Sequence, residues 1–491
     1  MSSAQQPAGR PKRSAEESRR WRALGVCLTA AFMTLLDTSI VNVALPSIER
    51  GLHASQADLS WVLSGYALTF GLALVPAGRL GDLRGRRNSF LIGMALFTVF
   101  SMGCGLAPGS AWLVVFRLAQ GAAAGLVSPQ VSGLIQQMFS GAERARAFGM
   151  MGSIIGISTA IGPLVGGLLI QAFGEADGWR WVFFVNLPIG LGCLAAAWRL
   201  LPRRDPQAGR RQSFDPVGVL LLGLGVVTVM LPLVQEQQWH GAAKWLLLPA
   251  GALLLGGFWW WEGRQDRVGR SPLFQLSLFR MRSYALGALL AMVYFAGFTP
   301  LFFVYTLFLQ TGLGYSAFQA GLASLPFALG SAVSARLGGR LVVRYGRKVV
   351  VLGLGWVAVG LAGTVLAVHL TPGQSAAWAA AVPLLAAGFG SGLSIAPNTT
   401  LTLAAVPVRL AGAAGGMLQT AQRIGSAAGI ALVGAVYFAH LASSHSWPGA
   451  LQLGLLTALG LVLLAIVAAV ADLGTDRGDQ PVGGNRSEAG G

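Results

Sequence analysis

Charged side chains are scarce in this sequence. Only 11% of its 491 residues are Asp, Glu, Lys or Arg, and 54% are hydrophobic. A soluble chain carries roughly a quarter charged residues, so an ordinary soluble protein is excluded. Acids are scarcest: 18 Asp and Glu stand against 35 Lys and Arg, a formal charge of +17. Cysteine is nearly absent, and Cys27, Cys104 and Cys193 all lie in apolar runs. That distribution supports neither a disulfide framework nor a thiolate metal site. No Gly-x-x-x-x-Gly-Lys-Ser/Thr loop is present, so ATP is not expected to be the direct energy source. The five histidines (His53, His240, His369, His440 and His445) fall near loops or run ends without metal-ligand spacing. No Ser/His/Asp arrangement has supporting context. Enzymatic chemistry, a metal and a cofactor are therefore not expected.

What is present in quantity is apolar runs of about 20 residues, each long enough to cross a bilayer as a helix. The first 20 residues are polar and the first apolar run is full length, which does not resemble a cleavable leader. Fourteen spans are expected, at about 22–45, 58–78, 88–107, 111–132, 147–171, 181–201, 214–234, 245–261, 284–309, 316–337, 349–369, 376–398, 410–438 and 449–472. With the N-terminus in the cytoplasm, inner segments hold thirty of the Lys and Arg residues. Outer loops hold Arg50, Arg180 and Lys244, while Arg117 and Arg423 fall inside spans. That bias is a positive-inside signal, so both tails are expected in the cytoplasm and the chain in the cytoplasmic membrane. The same dispersal of charge over short loops argues against nucleic acid as a partner.

The segment Gly78-Arg79-Leu80-Gly81-Asp82-Leu83-Arg84-Gly85-Arg86-Arg87 returns 261 positions later as Gly339-Arg340-Leu341-Val342-Val343-Arg344-Tyr345-Gly346-Arg347-Lys348. A second echo aligns Arg146, Gly149, Gly152, Gly162 and Gly166 with Arg409, Gly412, Gly415, Gly425 and Gly429. Two tandem bundles of six helices follow, over 22–201 and 266–472, with a two-helix linker over 202–265. Residues 1–21 form an N-terminal tail, and the Gly-rich segment 473–491 is expected to be disordered. Secondary transporters are built from such repeats.

Asp37 is the only carboxylate placed deep inside a span. An ionisable group in a membrane is costly and is a functional hypothesis by default. Burial favours its neutral form and a nearby cation its charged form, the adjustability that a proton carrier needs. The alternative is a permanent structural pair. Arg117 is the candidate partner: by helical rise, Asp37 lies roughly 12 Å and Arg117 roughly 9 Å below the outer surface. Gln120 follows one turn below Arg117. In span 5, Gly156, Gly162, Gly166 and Gly167 permit close helix packing and Pro163 permits a bend. In span 9, Tyr294, Phe298, Phe302 and Tyr305 share one face suited to an aromatic ligand, to lipid or to the core. Gln419, Gln422 and Arg423 in span 13 are candidates for the cavity wall. Gly78, Arg79, Gly81, Asp82, Gly85, Arg86 and Arg87 suggest a latch in which Asp82 caps or bridges a neighbouring helix end.

The chain resembles the fourteen-span drug:proton antiporters of the major facilitator superfamily (EmrB/QacA-type). The resemblance runs over about residues 20–472. It is carried by Leu36–Pro46 in span 1, Gly78–Arg87, Arg117-Leu118-Ala119-Gln120-Gly121, Gly156–Gly167 and Trp179–Gly190. It implies an all-helical membrane fold and proton-driven export of hydrophobic small molecules by alternating access. Asp37 and Arg117 would then couple protons, Asn42 of the span-1 signature would line the substrate cavity, and the protein would work as a monomer. Multidrug export, export of one natural product, and a metabolite uniporter or importer remain open. The cavity count of Asp37 against Arg117 and Arg423 favours neutral, zwitterionic or weakly anionic aromatic substrates over dications.

Overall fold

The computed structural model describes residues 11–174, 176–202, 215–234, 239, 241–268, 277–371 and 373–473. Among them there is no strand. The N-terminal half holds α1 (Pro11–Leu52), α2 (Gln56–Arg84), α3 (Arg86–Gly105), α4 (Ser110–Met138) and α5 (Gly141–Phe173). Then α6 (Gly178–Phe184) and α7 (Asn186–Leu200) make one span jointed at Val185. Next come α8 (Pro216–Val234), α9 (Leu247–Arg267) and the single turn α10 (Ser277–Arg280). The C-terminal half holds α11 (Arg282–Leu307), α12 (Ala317–Tyr345), α13 (Lys348–Leu370), α14 (Ala376–Ala379), α15 (Ala381–Ala404), α16 (Ala411–Ser444) and α17 (Trp447–Leu473).

Twelve helices among the described residues are long and apolar enough to cross a membrane. Two of the fourteen expected spans fall outside that set. The apolar stretch of α8, Pro216–Pro232, is short, and Gly, Ser, Thr, Pro397 and Asn398 dilute the apolar residues of α15. The first helix starts at Pro11, so part of the expected N-terminal tail is helical. Residues 1–10, most of the 202–215 connection and the expected disordered tail from 474 onward lie outside the described residues.

Inside the first half, α4 packs on α2 and α3, and α1 packs on α5. Inside the second, α15 packs on α12 and α13, and α11 packs on α16 and α17. Glycine makes these approaches possible, since helices in lipid gain from close van der Waals contact. A methyl group at Gly125 would lie 2.6 Å from the Phe70 carbonyl oxygen, and one at Gly297 2.8 Å from that of Ala458. The halves join along two seams, α2 against α16 and α5 against α12.

The seams carry the repeat into three dimensions. A methyl group at Gly412 would sit 2.6 Å from the Gly78 carbonyl oxygen, and one at Gly149 would sit 3.2 Å from Gly339 Cα. Each seam thus pairs a glycine of the repeated loop motif with a glycine of the second echo. The starts of α2 and α12 are matched too. Ser55 caps α2 with Asp58 in a reciprocal box, and Ser316 does the same for α12 with Gln319. The Ser55 backbone and side-chain bonds hold the Asp58 carboxyl below its usual range.

Candidate functional site

Asp37 and Arg117 meet in the first half, where α1, α2, α3, α4 and the α6–α7 joint converge. Both side chains are fully buried, at 0% and 1% exposure. Arg117 Nη1 donates to Asp37 Oδ2 at 2.6 Å. The other carboxylate oxygen, Oδ1, accepts from Gln120 Nε2 at 3.0 Å and from Asn186 Nδ2 at 3.1 Å. Arg117 also donates to Gln120 Oε1 at 2.8 Å and, through Nε, to the Val62 carbonyl at 3.1 Å. Its guanidinium lies over the Tyr66 ring, 4.1 Å from the centroid. A buried ion pair is tolerated when its remaining groups are bonded, and here both carboxylate oxygens of Asp37 and the Nε and Nη1 of Arg117 are.

The carboxylate form matches three donors. A proton on Asp37 removes the counter-charge of Arg117 and makes one carboxyl oxygen a donor, for which Arg117 offers no acceptor.

The spacing of sequence signals brought Asp37, Arg117 and Gln120 together on the page, but not Asn186. This side chain sits at the start of α7, where the joint after α6 turns it inward. Its amide donates both to Asp37 and to Ser101 Oγ at 3.0 Å, and Ser101 in turn donates to the Phe183 carbonyl at 2.9 Å. A neutral amide carries no charge to flag it; only its place in the Trp179–Gly190 stretch could have.

At the loop end of the α2–α16 seam, Asp82 reaches across the halves. Its Oδ1 accepts from Gly412 N at 3.2 Å and its Oδ2 from Ala413 N at 2.9 Å, so it satisfies the free amides that begin α16. Arg86 holds the same carboxylate at 2.9 Å and donates to the Gly133 and Val408 carbonyls. Arg87 stacks on Trp198 at 4.8 Å. Gly85 has φ 99°, a conformation that favours glycine. Gly81 lies against Gln130, leaving no room for a side chain, and Gly78 lies against the Gly412 backbone. In the repeated loop Val343 occupies the position of Asp82 and is exposed.

Asp37 is not the only buried acid. Glu262, near the end of α9, has 0% exposure, and Asp215 caps the start of α8 through bonds from Val217 N and Gly218 N. Buried Arg79 interacts electrostatically with both Asp82 and Glu262. The α8–α9 pair is thereby tied by charge to the loop end of α2, a link that the distance in sequence concealed.

The glycines of α5 face two ways. Methyl groups at Gly162 and Gly166 would meet Ser39 at 2.5 Å and Ile40 at 3.0 Å on α1. One at Gly156 would meet Ala328 and Ser331 on α12, while Gly167 faces Phe318 and Pro163 faces Gly321. Pro163 stands inside the continuous helix. The α11 aromatics divide. Tyr294 and Tyr305 lie in the second half's core, with Tyr294 donating to Ser391 Oγ at 2.9 Å. Phe298 and Phe302 are only partly buried. Asn42 is exposed on α1. Gln419 accepts from Ser128 Oγ at 2.5 Å, Gln422 borders Tyr294 and Asn398, and Arg423 covers the Phe70 ring at 4.5 Å.

Comparison with known proteins agrees with this architecture. The Major Facilitator Superfamily profile matches residues 27–430. The chain is 39% identical over 429 residues to the probable actinorhodin transporter of Streptomyces coelicolor, covering 87% of this chain and 74% of that one. It is 37% identical over 418 residues to multidrug resistance protein Stp of Mycobacterium tuberculosis, covering 84% and 75%. Its fold matches the human organic anion transporter MFSD10 with a TM-score of 0.64 at 15% identity, over 92% of this chain and 99% of that one. That last likeness carries the fold alone. A multi-pass membrane transporter is thus defined by the paired helical halves and the sequence matches together. The chain belongs to the Major Facilitator Superfamily and resembles its EmrB/QacA-type drug exporters.

Proposed function

We propose that this chain exports hydrophobic aromatic molecules from the cytoplasm across the cytoplasmic membrane in exchange for protons. The observation that carries the reading is the fully buried Asp37–Arg117 pair, held at 2.6 Å and wrapped by Gln120 and Asn186. A proton arriving from outside neutralises Asp37 and frees Arg117, and substrate leaves. Loss of that proton to the cytoplasm re-forms the pair and resets the cavity. The halves exchange access by rocking along the α2–α16 and α5–α12 seams, and Asp82 latches the cytoplasmic end when it is closed.

The topology proposed with this reading has fourteen spans. α8 and α15 supply the two beyond the twelve: α8 pairs with α9 as an inserted hairpin, and α15 is enclosed by α12 and α13. Residues 22–201 and 266–472 form the two bundles, both tails are cytoplasmic, and one chain is the working unit. Export of a single natural product is favoured as the alternative, because relatives carry names of both kinds, actinorhodin transporter and multidrug resistance protein.

An accumulation screen of aromatic antibiotics in an efflux-deficient host tests the proposal. Cells with the intact chain should accumulate less of at least one compound, and a protonophore should erase the difference. Unchanged accumulation across the panel, or export indifferent to the protonophore, would reject it. Arg117→Gln gives a sharper readout. An opposite charge favours the ionised carboxylate, so its removal should move the pH optimum of transport upward. An unmoved pH profile with transport intact would contradict that role for Arg117.

A further inference from the structure

We infer that Arg423 binds an anionic group on the transported molecule, so that the preferred substrates are aromatic anions. The inference rests on the export reading above and deepens it.

Arg117 and Arg423 bracket a pair of rings. Arg117 covers Tyr66 at 4.1 Å, Tyr66 stacks on Phe70 at 6.2 Å with 25° between planes, and Arg423 covers Phe70 at 4.5 Å. The two cations differ in one respect. Arg117 is neutralised by Asp37. Arg423 makes no hydrogen bond and no ion pair among the described residues; its recorded partner is the Phe70 ring.

An arginine stays protonated in a protein. Inside a membrane an uncompensated charge is expensive and normally pairs with an acid or with backbone carbonyls. A ring face attracts the cation but does not cancel its charge. Arg423 is only partly buried, so its charge is open to a compensating anion brought in from outside the chain.

Its position suits a substrate better than lipid. Arg423 lies on α16 above the place where α2 and α16 touch at Gly78–Gly412 and Leu74–Gly416. From Gly416 it is seven residues along, roughly 10 Å at the helical rise. It thus sits between the two halves and beside the aromatic pair that leads to the proton site. Gln419, one turn away, keeps a buried Nε2 without a partner, a second donor for an anionic oxygen. Partly buried Phe298 and Phe302 on α11, which packs against α16, add stackable surface.

Binding of anthracene-9-carboxylate and of its neutral methyl ester to the detergent-purified chain, with no pH gradient, tests the inference. Hydrogen bonds to charged groups set the scale, so the acid should bind about tenfold to a hundredfold tighter than the ester. Arg423→Gln should erase that preference, and Arg423→Lys should keep part of it, which separates loss of charge from misfolding. Equal binding by the intact chain, tighter binding of the ester, binding of neither, or a preference that survives in Arg423→Gln would each overturn the inference. Because binding is read without a gradient, failed proton coupling in the transport screen leaves this result standing, and the reverse also holds.

Discussion

Replacing Asp37 with asparagine should abolish uphill efflux driven by a pH gradient, while downhill exchange of substrate persists. The variant keeps the size of the side chain and can still accept bonds from Gln120 and Asn186, but it cannot take up and release a proton. It also leaves Arg117 buried without a counter-charge. Removing one partner of a buried pair costs about 3–5 kcal/mol, so reduced expression is expected alongside lost coupling. The double variant Asp37→Asn/Arg117→Gln separates the two effects: it should regain stability and remain uncoupled. Proteoliposome uptake against a substrate gradient, beside counterflow in its absence, reads both. Uphill transport by the double variant would mean that another group carries the proton, and buried Glu262 would be the first to examine.

A valine at Gly412 should cut turnover by well over tenfold and leave substrate affinity within a few fold. The added carbons would meet the Gly78 carbonyl oxygen at 2.6 Å and Asp82 Oδ1 at 2.8 Å. The first of these is backbone and cannot rotate away, so the α2–α16 seam cannot close. Asp82→Asn should act in the same direction more weakly. It retains an acceptor for Ala413 N but loses the charge that favours a helix N-terminus, worth about 0.3–1 kcal/mol and up to ~2 when partly buried. Spin-label distances across the seam should lengthen in both variants. Normal turnover in Gly412→Val, or weakened binding with normal turnover per bound substrate, would contradict a latch at this seam.

The parts of this structure that were legible in the sequence are those that membrane physics makes expensive. A carboxylate and an arginine deep in apolar runs announce themselves, and depth alone matched Asp37 with Arg117. The repeat was visible because its glycines must recur wherever backbones touch, as Gly78 does with Gly412 and Gly339 with Gly149. Neutral residues hid. Asn186 becomes a partner of Asp37 only because the chain bends at Val185. The π turn at Phe308–Gly312 has no side chain that signals it. The four α11 aromatics lie on one helix, yet periodicity does not say which part of a face is core, and Tyr294 and Tyr305 are core while Phe298 and Phe302 are only partly buried. Nothing in the sequence ties Glu262 to Arg79, some 180 positions earlier; their electrostatic interaction comes from packing alone.

The central claim is that one buried acid exchanges protons for substrate, and proton movement itself measures it. Proteoliposomes with a trapped pH dye and no imposed gradient should report proton flow opposite to substrate flow as soon as an exported compound is added. The Asp37→Asn/Arg117→Gln variant should move the compound downhill with no pH signal. Substrate flow without proton flow in the intact chain, or an undiminished pH signal in the double variant, would contradict the account.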